Sequence, residues 1–404
     1  MSRINDLIKE LCPNGVEYKK LSDVIPVNRG SRLTKSQLSE DGIYEVYHGS
    51  KDVPLGKYDK YNTKGDTVIV VNTGGIGGVK YLKNNFWCSD GSFNLGHNDR
   101  LNNKYLYHYL LQYEKYFLSQ KRVGGVPTID RSVVENVRLP LPPLEVQEEI
   151  VRILDKFGEL EAELEAELEA RESQYEFWSG KIFENYDNKN TKHITDIAIV
   201  KARVGWQRLT TAEYLSEGDY YLITGTDFNN DGSINFDTCV YVTKERYDMD
   251  ENIQIHKDDI LITKDGTLGK VAYLENEPDK LATLNSGVFR IKIIDDEVMP
   301  RYIYHYFNSK IFRDFIESVK TGSTIPHLTQ EKLVTLNIPI PNVNEQKRIV
   351  NILDKFDNLT RSLTTGLPAE IELRRKQYEY YRNKLLSFEE LSVSEEYRFN
   401  KWKW

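Results

Sequence analysis

Two stretches of the chain carry the same helical pattern of apolar positions. In residues 150–182 apolar side chains recur at steps of three and four, apart from one gap at Arg171. The pattern returns in residues 349–385, and residues 140–160 and 339–359 are identical at 11 of 21 positions. This spacing predicts two long amphipathic helices, each with one apolar seam. The residues expected to pair the helices are Ile150, Leu154, Phe157, Leu164, Leu168, Trp178, Ile349, Leu353, Phe356, Leu363, Tyr378 and Tyr381.

The repeat extends upstream of both helices into stretches rich in β-branched and aromatic residues. YLYHY matches YIYHY, VIVVNTGGIGGVKY matches ILITKDGTLGKVAY, and residues 121–137 match 320–336. Glycine, asparagine and aspartate interrupt the apolar runs, as is typical between strands. We therefore predict an α+β fold in which two β-rich heads, in a pseudo-twofold arrangement, are joined by two long antiparallel helices forming a coiled coil. The predicted boundaries are residues 1–143 and 188–343 for the heads, 144–187 and 344–390 for the helices, and 391–404 for a tail.

The two predicted helices differ in their middle. The first contains AELE in tandem at residues 162–169, and alanine, glutamate and leucine are strong helix formers. A continuous helix of about forty residues would span about 60 Å. The second contains TTGLP at residues 364–368, where Gly366 and Pro368 are expected to break or kink the helix. Pro368 suits the first residue of a restarted helix.

Acidic residues are concentrated in the first helix. Residues 145–172 hold eleven acids and three bases, a balance of −8 that equals the net charge of the whole chain. Because charges act within a Debye length of about 8 Å, this total does not argue against nucleic-acid binding by the heads. No apolar run reaches the length of a membrane span and no signal-peptide pattern is present, so we expect a cytoplasmic chain without a membrane partner. Three distant cysteines predict reduced thiols.

Motifs for catalysis are missing from the sequence. GIGG at residues 75–78 lacks the third glycine of a dinucleotide fingerprint, and DGTLGKV at residues 265–271 lacks the first glycine and the hydroxyl residue of a phosphate-binding loop. There is no Asp/Asn-Pro-Pro-aromatic motif of an amino-methyltransferase, and the seven histidines show no metal-ligand spacing. We therefore predict no catalytic residue, no metal and no cofactor bound by this chain.

Each head carries two glycine-containing polar loops at matching places. Glycine lets backbone N–H groups approach a ligand, and lysine, asparagine and threonine suit contacts to phosphates or base edges. Taken singly, each loop fits a tight turn equally well, but their agreement between two otherwise different heads favours a DNA-facing role. A basic segment near the start of each head is a weaker signal. The candidate DNA-binding residues are Arg29, Arg32, Asn72, Thr73, Gly74, Gly75, Lys121 and Arg122 in the first head, and Arg203, Arg208, Lys264, Asp265, Thr267, Lys270, Lys320, Thr321, Ser323 and Thr324 in the second.

The joint pattern of TGSTIPHL, DGTLGKV and IPIPNVNEQKRIVNILDKFDNL with its twin resembles the DNA-specificity subunits of type I restriction–modification systems, over nearly the whole chain. The resemblance implies that each head is a target recognition domain reading one half of a bipartite double-stranded DNA site, with the helices setting the gap. It implies two methyltransferase (modification) subunits, docked on the helices, that methylate adenine N6 with S-adenosylmethionine. Two restriction subunits, where such a system has them, add cleavage with ATP and Mg.

Two other functions stay open at this point. A coiled-coil scaffold for protein interactions, without DNA specificity, would show no salt-dependent affinity for DNA. A chain that methylates or cuts DNA itself would act on DNA and S-adenosylmethionine as a pure protein.

Overall fold

The computed structural model describes residues 2–122, 124–184, 190–204, 209–320, 327–362 and 364–391. The chain forms two compact units, the first made of Met1–Ala162 and Leu373–Trp404 and the second of Glu163–Glu372. The predicted α+β class is confirmed, with sheets in both units and one helix of 41 residues. None of the helices in the described ranges is both long and apolar enough to span a membrane.

The first unit begins with an amphipathic helix followed by a head of short strands. Its helices are α1 (Ser2–Leu11), α2 (Asn103–Leu110), α3 (Glu114–Ser119), α4 (Arg131–Glu135) and the start of α5 (Leu144–Glu184). Its strands are β1 (Tyr18–Lys20), β2 (Val27–Arg29), β3 (Tyr44–Tyr47), β4 (Gly56–Tyr58), β5 (Thr67–Val71), β6 (Val79–Leu82), β7 (Trp87–Cys88), β8 (Ser92–Leu95) and β9 (Arg138–Pro140).

The strands of this head form two larger sheets and one short ribbon. The first sheet is antiparallel in the order β2-β8-β5-β6, and the second has the order β4-β3-β7. The sequence of β5, TVIVV, is buried throughout, as suits a strand rich in β-branched residues. In the second sheet β3 pairs parallel with β7 and antiparallel with β4. The ribbon pairs β1 with β9, immediately before α5 begins.

The second unit contains a head with a closely related set of elements. Its helices are α6 (Ile194–Ile197), α7 (Lys244–Asp248), α8 (Pro300–Phe307), α9 (Lys310–Val319), α10 (Gln330–Leu333) and α11 (Val343–Arg361), and α12 (Leu367–Leu385) then passes into the first unit. Its strands are β10 (Thr191–His193), β11 (Ala198–Ala202), β12 (Tyr220–Ile223), β13 (Val240–Tyr241), β14 (Gln254–Ile255), β15 (Ile260–Thr263), β16 (Val271–Tyr273), β17 (Leu281–Leu284), β18 (Val288–Ile293) and β19 (Asn337–Pro339).

The second head repeats the topology of the first. The sheet β11-β18-β15-β16 corresponds to β2-β8-β5-β6, and the ribbon β10-β19 corresponds to β1-β9. β12 pairs antiparallel with β13 and parallel with β17, as β3 does with β4 and β7. β14 is an addition, paired with β17. The two heads are therefore two copies of one fold, as the internal sequence matches predict.

The long helix of the second copy is interrupted. α11 ends at Arg361 and α12 begins at Leu367, so the TTGLP segment breaks the helix as predicted. Pro368 is the second residue of α12, within the first turn, where a missing N–H costs no intrahelical hydrogen bond. At Gly366 a Cβ would lie 2.5 Å from the carbonyl oxygen of Asn358. The break therefore requires glycine.

Apolar and charged contacts pair α5 with α12 in the first unit. The rings of Phe157 and Tyr381 stack with centroids 5.4 Å apart, and Arg375 donates to Glu161 at 2.5 Å. Residue numbers rise along α5 as they fall along α12, so the two helices are antiparallel there.

Most of the predicted seam residues are buried or half-buried. Ile150, Leu154, Ile349 and Leu353 have no exposed surface, whereas Phe157, Leu164, Leu168, Phe356, Tyr378 and Tyr381 are half-buried. Leu363 lies outside the described residues. The prediction for Trp178 is wrong, since its side chain is 52% exposed. The buried face of α5 runs through Tyr175, Ser179 and Phe183, and Trp178 lies about 100° from the centre of that face.

A buried glutamine fixes the first head to the start of α5. Gln147 has no exposed surface. Its side-chain oxygen accepts from the N–H of Asn102 at 2.9 Å, and its nitrogen donates to the carbonyls of Arg100 at 2.9 Å and Pro142 at 2.8 Å. One fully buried amide thereby bonds three backbone groups.

Gln346 makes the same contacts at the start of α11. Its oxygen accepts from the N–H of Met299 at 2.9 Å, and its nitrogen donates to the carbonyls of Glu297 and Pro341, both at 2.8 Å. It too is fully buried. We call these two arrangements the glutamine brackets. Each joins the loop before a helix of the head, α2 or α8, to the proline-containing segment before α5 or α11.

A histidine–aspartate pair lies near each bracket. It joins α2 to α5 in the first head and α8 to α11 in the second. His108 Nε2 lies 3.0 Å from Asp155 Oδ1, and His305 Nε2 lies 2.7 Å from Asp354 Oδ1. Burial raises the pKa of both aspartates, but hydrogen bonds from the histidine and a neighbouring cation outweigh it and hold each pKa below its usual range. The neighbouring cations are Lys104 in the first copy and Arg301 in the second.

The core of each unit includes a helix end from the other copy of the repeat. Leu385 and Leu386, from the end of α12 and the residue after it, are buried in the core of the first unit. Tyr175 and Phe183, near the end of α5, are buried in the core of the second unit.

The chain returns to the first head after α12. Val16 N–H donates to the carbonyl of Glu389 at 2.8 Å, and Leu391 N–H donates to the carbonyl of Val16 at 3.0 Å. Arg138 also binds both carboxylate oxygens of Glu390, at 3.1 and 2.5 Å. The first residue of the predicted tail, Leu391, is thus bound to the head, and the rest of that tail lies outside the described residues.

We expect Gln147→Leu to lower the free energy of unfolding of the first unit by about 3 kcal/mol. Three backbone groups lose their partner, and each buried unsatisfied group costs about 1–3 kcal/mol before relaxation. Urea unfolding of the full chain followed by circular dichroism measures the change. Gln120→Leu, at an exposed position of the same head, is the control and should shift stability by less than about 0.5 kcal/mol. Equal stabilities of the two variants would contradict a structural role for the bracket.

We expect the advantage of the natural chain over Asp354→Asn to depend on pH. The pKa of Asp354 is lower in the folded chain than the unfolded value of about 3.9, so its contribution is present above about pH 4 and is lost as the pH falls through the folded pKa. Thermal unfolding of both chains from about pH 7 down to about pH 3 tests this. A stability difference that stays constant over that range would refute a role for the carboxylate charge.

Candidate nucleic-acid interface

The first glycine loop has the same conformation in both heads. It connects β5 to β6 in one head and β15 to β16 in the other. In each, a glycine closes the hairpin: Gly77 N–H donates to the carbonyl of Val71, and Gly269 N–H to that of Thr263, both at 2.9 Å. Left-handed backbone at two positions makes glycine the favoured residue there. These glycines are Gly74 (φ 77°), Gly77 (φ 85°), Gly266 (φ 66°) and Gly269 (φ 82°).

The second glycine loop of the first head is held beside the first loop. Thr73 forms an isolated β-bridge with Thr128, and its hydroxyl donates to the carbonyl of Pro127 at 3.0 Å. The N–H of Ile129 donates to the carbonyl of Asn72, also at 3.0 Å. The structure therefore brings the two predicted loops of this head together.

The second head has the corresponding connection. Asp265 bridges to His327, and the N–H of Leu328 donates to the carbonyl of Lys264 at 2.9 Å. Part of the predicted site lies outside the described residues, namely Arg208, Thr321, Ser323 and Thr324.

These loops meet because the strands before them end at one edge of each head. The paired residues at that edge are Arg29 with Phe93, Val71 with Ser92 and Tyr47 with Cys88 in the first head. In the second head they are Ala202 with Phe289, Thr263 with Val288 and Ile223 with Leu284. We call this side of each head the loop edge.

Most of the candidate residues that the structure describes are exposed at the loop edge or beside it. The guanidinium of Arg29 is anchored by one bond from Nε to the carbonyl of Asp90, at 3.2 Å, and Arg122 pairs with Asp130 while its side chain stays 70% exposed. Thr73 and Asp265 are half-buried. The exposed candidates are Arg29, Arg32, Gly74, Gly75, Lys121, Arg122, Thr267, Lys270 and Lys320.

Lys264 is half-buried and its ammonium is partly desolvated. The nitrogen lies 5.3 Å from the centre of the Phe289 ring. Burial lowers the pKa of Lys264, and the neighbouring Asp265 opposes this shift. Its side chain is less available to a phosphate than the sequence suggests.

The side chain of Asn72 does not face the solvent, which corrects the prediction for this residue. It is 3% exposed, and its nitrogen donates to the carbonyl of Asp90 at 3.3 Å. Its backbone N–H donates to the carbonyl of Gly91 at 3.0 Å. Asn72 therefore holds the glycine loop against the β7–β8 loop rather than contacting DNA.

Arg203 is also a correction, because it lies in the core of the second head. Its side chain donates from Nε to the carbonyl of Leu284 at 2.8 Å and from Nη2 to Thr283 Oγ1 at 3.1 Å, with 2% of its surface exposed. Desolvation lowers the pKa of its guanidinium. Arg203 joins the end of β11 to β17 and is not available to DNA.

Two further loops at each loop edge were missed by the sequence comparison. In the first head they are residues 48–53, after β3, and 89–91, after β7; in the second they are residues 224–227 and 285–287. The corresponding loops of the two heads are separated along the chain by distances that differ from those of the strong repeats. A comparison at one fixed sequence separation therefore does not find them. Each of these loops contains a glycine, and this feature could have identified them. Gly49 in the first head corresponds to Gly225 in the second, and Gly91 corresponds to Gly287.

Candidate metal ligands and thiols were located among the described residues. No group of three or more His, Cys, Asp or Glu side chains there could hold a metal ion. The three cysteines, Cys12, Cys88 and Cys239, are buried and free, and burial raises the pKa of the Cys88 thiol to about 12.

A protein-family model matches the chain twice. Residues 13–170 and 186–373 both match the family described as type I restriction modification DNA specificity domain. The two matches cover the two copies of the repeat.

Individual relatives of the chain are also named as specificity subunits of type I restriction enzymes. The Haemophilus influenzae type I restriction enzyme specificity subunit S.HindORF215P is 30% identical over 390 residues, covering 92% of this chain and 96% of that protein. The Escherichia coli EcoR124I/EcoR124II specificity subunit is 35% identical over 254 residues, covering 62% of this chain and 61% of its own.

Solved structures share the fold. The S subunit of a type I restriction–modification system from M. genitalium superposes with a TM-score of 0.56 at 19% identity, covering 92% of this chain and 96% of that chain. A chain from a type I restriction–modification assembly superposes with a TM-score of 0.55 at 16% identity, covering 93% and 98%.

Proposed function

The chain belongs to the type I restriction–modification DNA specificity family, and we propose that it selects the bipartite double-stranded DNA site on which such a complex acts. Each head reads one half of the site through its loop edge. The observation that carries this proposal is the recurrence of one loop framework, with different polar side chains, in two heads of the same topology. Loops held on a rigid sheet are where binding residues concentrate.

The long helices set the distance between the half-sites in this proposal. α5 is continuous over 41 residues, which corresponds to about 60 Å at 1.5 Å per residue. The glutamine brackets support the role, because they fix each head to the start of a long helix. Half-site spacing then follows from protein geometry, as it does in dimeric DNA-binding proteins.

The chemistry in this proposal belongs to partner subunits. Two methyltransferase subunits dock on the helices and methylate adenine N6 with S-adenosylmethionine, and restriction subunits, where present, use ATP and Mg. Exposed aromatic side chains at equivalent repeat positions support two docking places: Phe177 on α5 is 56% exposed and Tyr380 on α12 is 60% exposed. Such side chains are favoured anchors in protein interfaces.

Methylation mapping tests the proposed function. In cells that carry this chain with its methyltransferase partner, N6-methyladenine should occur at one bipartite motif and disappear when this chain is removed. Purified full chain should bind a duplex with that motif, and the affinity should fall steeply with salt. Methylation that persists without the chain would contradict the proposal, and a scaffold would show no salt-dependent binding. Methylation by the pure chain alone would identify an enzyme instead.

We expect deletion of residues 162–165, one AELE unit, to change the spacer of the motif and leave both half-sites unaltered. Four helical residues correspond to about 6 Å, so the spacer should shorten by about one to two base pairs of 3.4 Å. Methylome sequencing of cells carrying the deletion variant measures both properties. A changed half-site with an unchanged spacer would contradict the spacing role.

A further inference from the structure

One loop of each loop edge is held directly against the first glycine loop. In the first head, the N–H of Gly75 donates to the carbonyl of Gly49 at 2.7 Å. A Cβ on Gly74 would lie 2.6 Å from that same carbonyl oxygen, so the two backbones touch. We call residues 48–53 the third loop of the first head.

The third loop of the second head, residues 224–227, also lies near the first glycine loop, at ordinary contact distance. A Cβ placed on Gly225 would lie 3.6 Å from the methyl carbon of Thr263 and 3.9 Å from Thr267 Oγ1, at the first glycine loop. In both heads, therefore, the third loop lies beside the candidate DNA-binding loop and carries a glycine, Gly49 or Gly225. The residues around that glycine differ, with His-Gly-Ser-Lys-Asp in one head and Thr-Gly-Thr-Asp in the other.

Hydroxyl groups hold both third loops in one conformation. Ser50 Oγ accepts from the N–H groups of Asp52 at 3.2 Å and Val53 at 3.1 Å. Thr224 Oγ1 accepts from the N–H of Thr226 at 3.3 Å, and its own N–H donates to a buried carboxylate at 2.8 Å. Side chains on such loops are preorganised for recognition.

His48 presents a fixed hydrogen-bond donor on the first head. Its Nδ1 accepts from the N–H of Gly91 at 3.2 Å and lies 3.2 Å from Ser89 Oγ and 3.3 Å from Asp90 Oδ1. A neutral ring that accepts at Nδ1 carries its hydrogen on Nε2, and a protonated ring carries one there as well. The side chain is 37% exposed, and no hydrogen bond to Nε2 is formed within the described residues.

Thr226 presents an acceptor on the second head. Thr224 Oγ1 donates to Asp227 Oδ2 at 2.9 Å, so the hydrogen between the hydroxyls of Thr224 and Thr226, 2.7 Å apart, comes from Thr226. The lone pairs of Thr226 Oγ1 remain for a ligand, and the residue is exposed.

We propose that the third loop is a base-reading element of each head: His48 Nε2–H donates to an acceptor on a base edge of one half-site, and Thr226 Oγ1 accepts from an exocyclic amino group in the other. This rests on the proposed function. In the major groove, N7 of purines, O6 of guanine and O4 of thymine are acceptors, whereas N4 of cytosine and N6 of adenine carry donors. The two heads thereby favour bases of opposite hydrogen-bonding character at these contacts.

Binding of variants of the full chain to its own motif tests the proposal. His48→Asn keeps a side-chain oxygen near the place of Nδ1 to accept from Gly91 but removes the outward donor. Thr226→Val keeps the shape of the side chain and removes the acceptor. Each variant should bind the intact motif duplex about tenfold more weakly, as expected for one base contact. His48→Asn should bind a duplex with a scrambled first half-site as tightly as the natural chain does, and Thr226→Val should do so when the second half-site is scrambled.

Lys83→Ala is the matched control, because Lys83 is exposed just after β6, at the opposite end of the same sheet, where Thr67 pairs with Leu82. It should bind both duplexes within about twofold of the natural chain. Far-UV circular dichroism and melting temperatures establish that each variant is folded.

Three outcomes would overturn the proposal. Folded variants that keep the affinity and discrimination of the natural chain would show that the third loop reads no base. Equal loss of affinity for intact and scrambled duplexes would identify a phosphate contact, which carries no sequence information. A natural chain that itself fails to distinguish the duplexes would refute the proposed function, and this inference with it.

Discussion

A buried side-chain amide that bonds one N–H and two carbonyl groups determines how each head sits on its long helix. Gln147 and Gln346 lie in the first turns of α5 and α11, and neither exposes any surface. A head that rotated or slid along its helix would break three hydrogen bonds to a fully buried amide, and each buried polar group left without a partner costs about 1–3 kcal/mol. The orientation of each loop edge relative to the helix below it is therefore fixed by short-range hydrogen bonding.

On this fixed base, the two heads combine a constant backbone with variable side chains. Left-handed glycines recur at the same places in the first glycine loops, and the strand pairings at the loop edge agree strand for strand. Residues beside these glycines differ, as with Thr73 and Asp265 or Gly75 and Thr267. Because backbone hydrogen bonds hold the loops, a side chain at their tips can be exchanged without loss of the fold. A common backbone with different side chains suits a protein that must present two different surfaces on one fold.

Internal repetition made the architecture predictable from the sequence, because identical residues at the start of both helices and glycine pairs in the heads survive divergence. Side-chain exposure was less predictable. Trp178 fits the spacing of three and four residues that predicts the apolar seam, but it lies away from the centre of the buried face. Arg203 follows the end of a strand, but its side chain turns inward and bonds two groups of β17. A basic residue in a sequence does not reveal which way it points. The brackets were visible as identical glutamines in the repeat, but the function of an isolated polar identity becomes clear only when its three partners are located.

Because the copies exchange helix ends, neither head closes its core with its own repeat alone. Leu385 and Leu386 complete the core of the head encoded at the start of the chain, and Phe183 completes that of the later head. A polypeptide with a single head and a single helix would lack the piece that closes its own core, and a second identical polypeptide would supply it. Each head of the present chain therefore depends for its closed core on a helix that belongs to the other copy of the repeat.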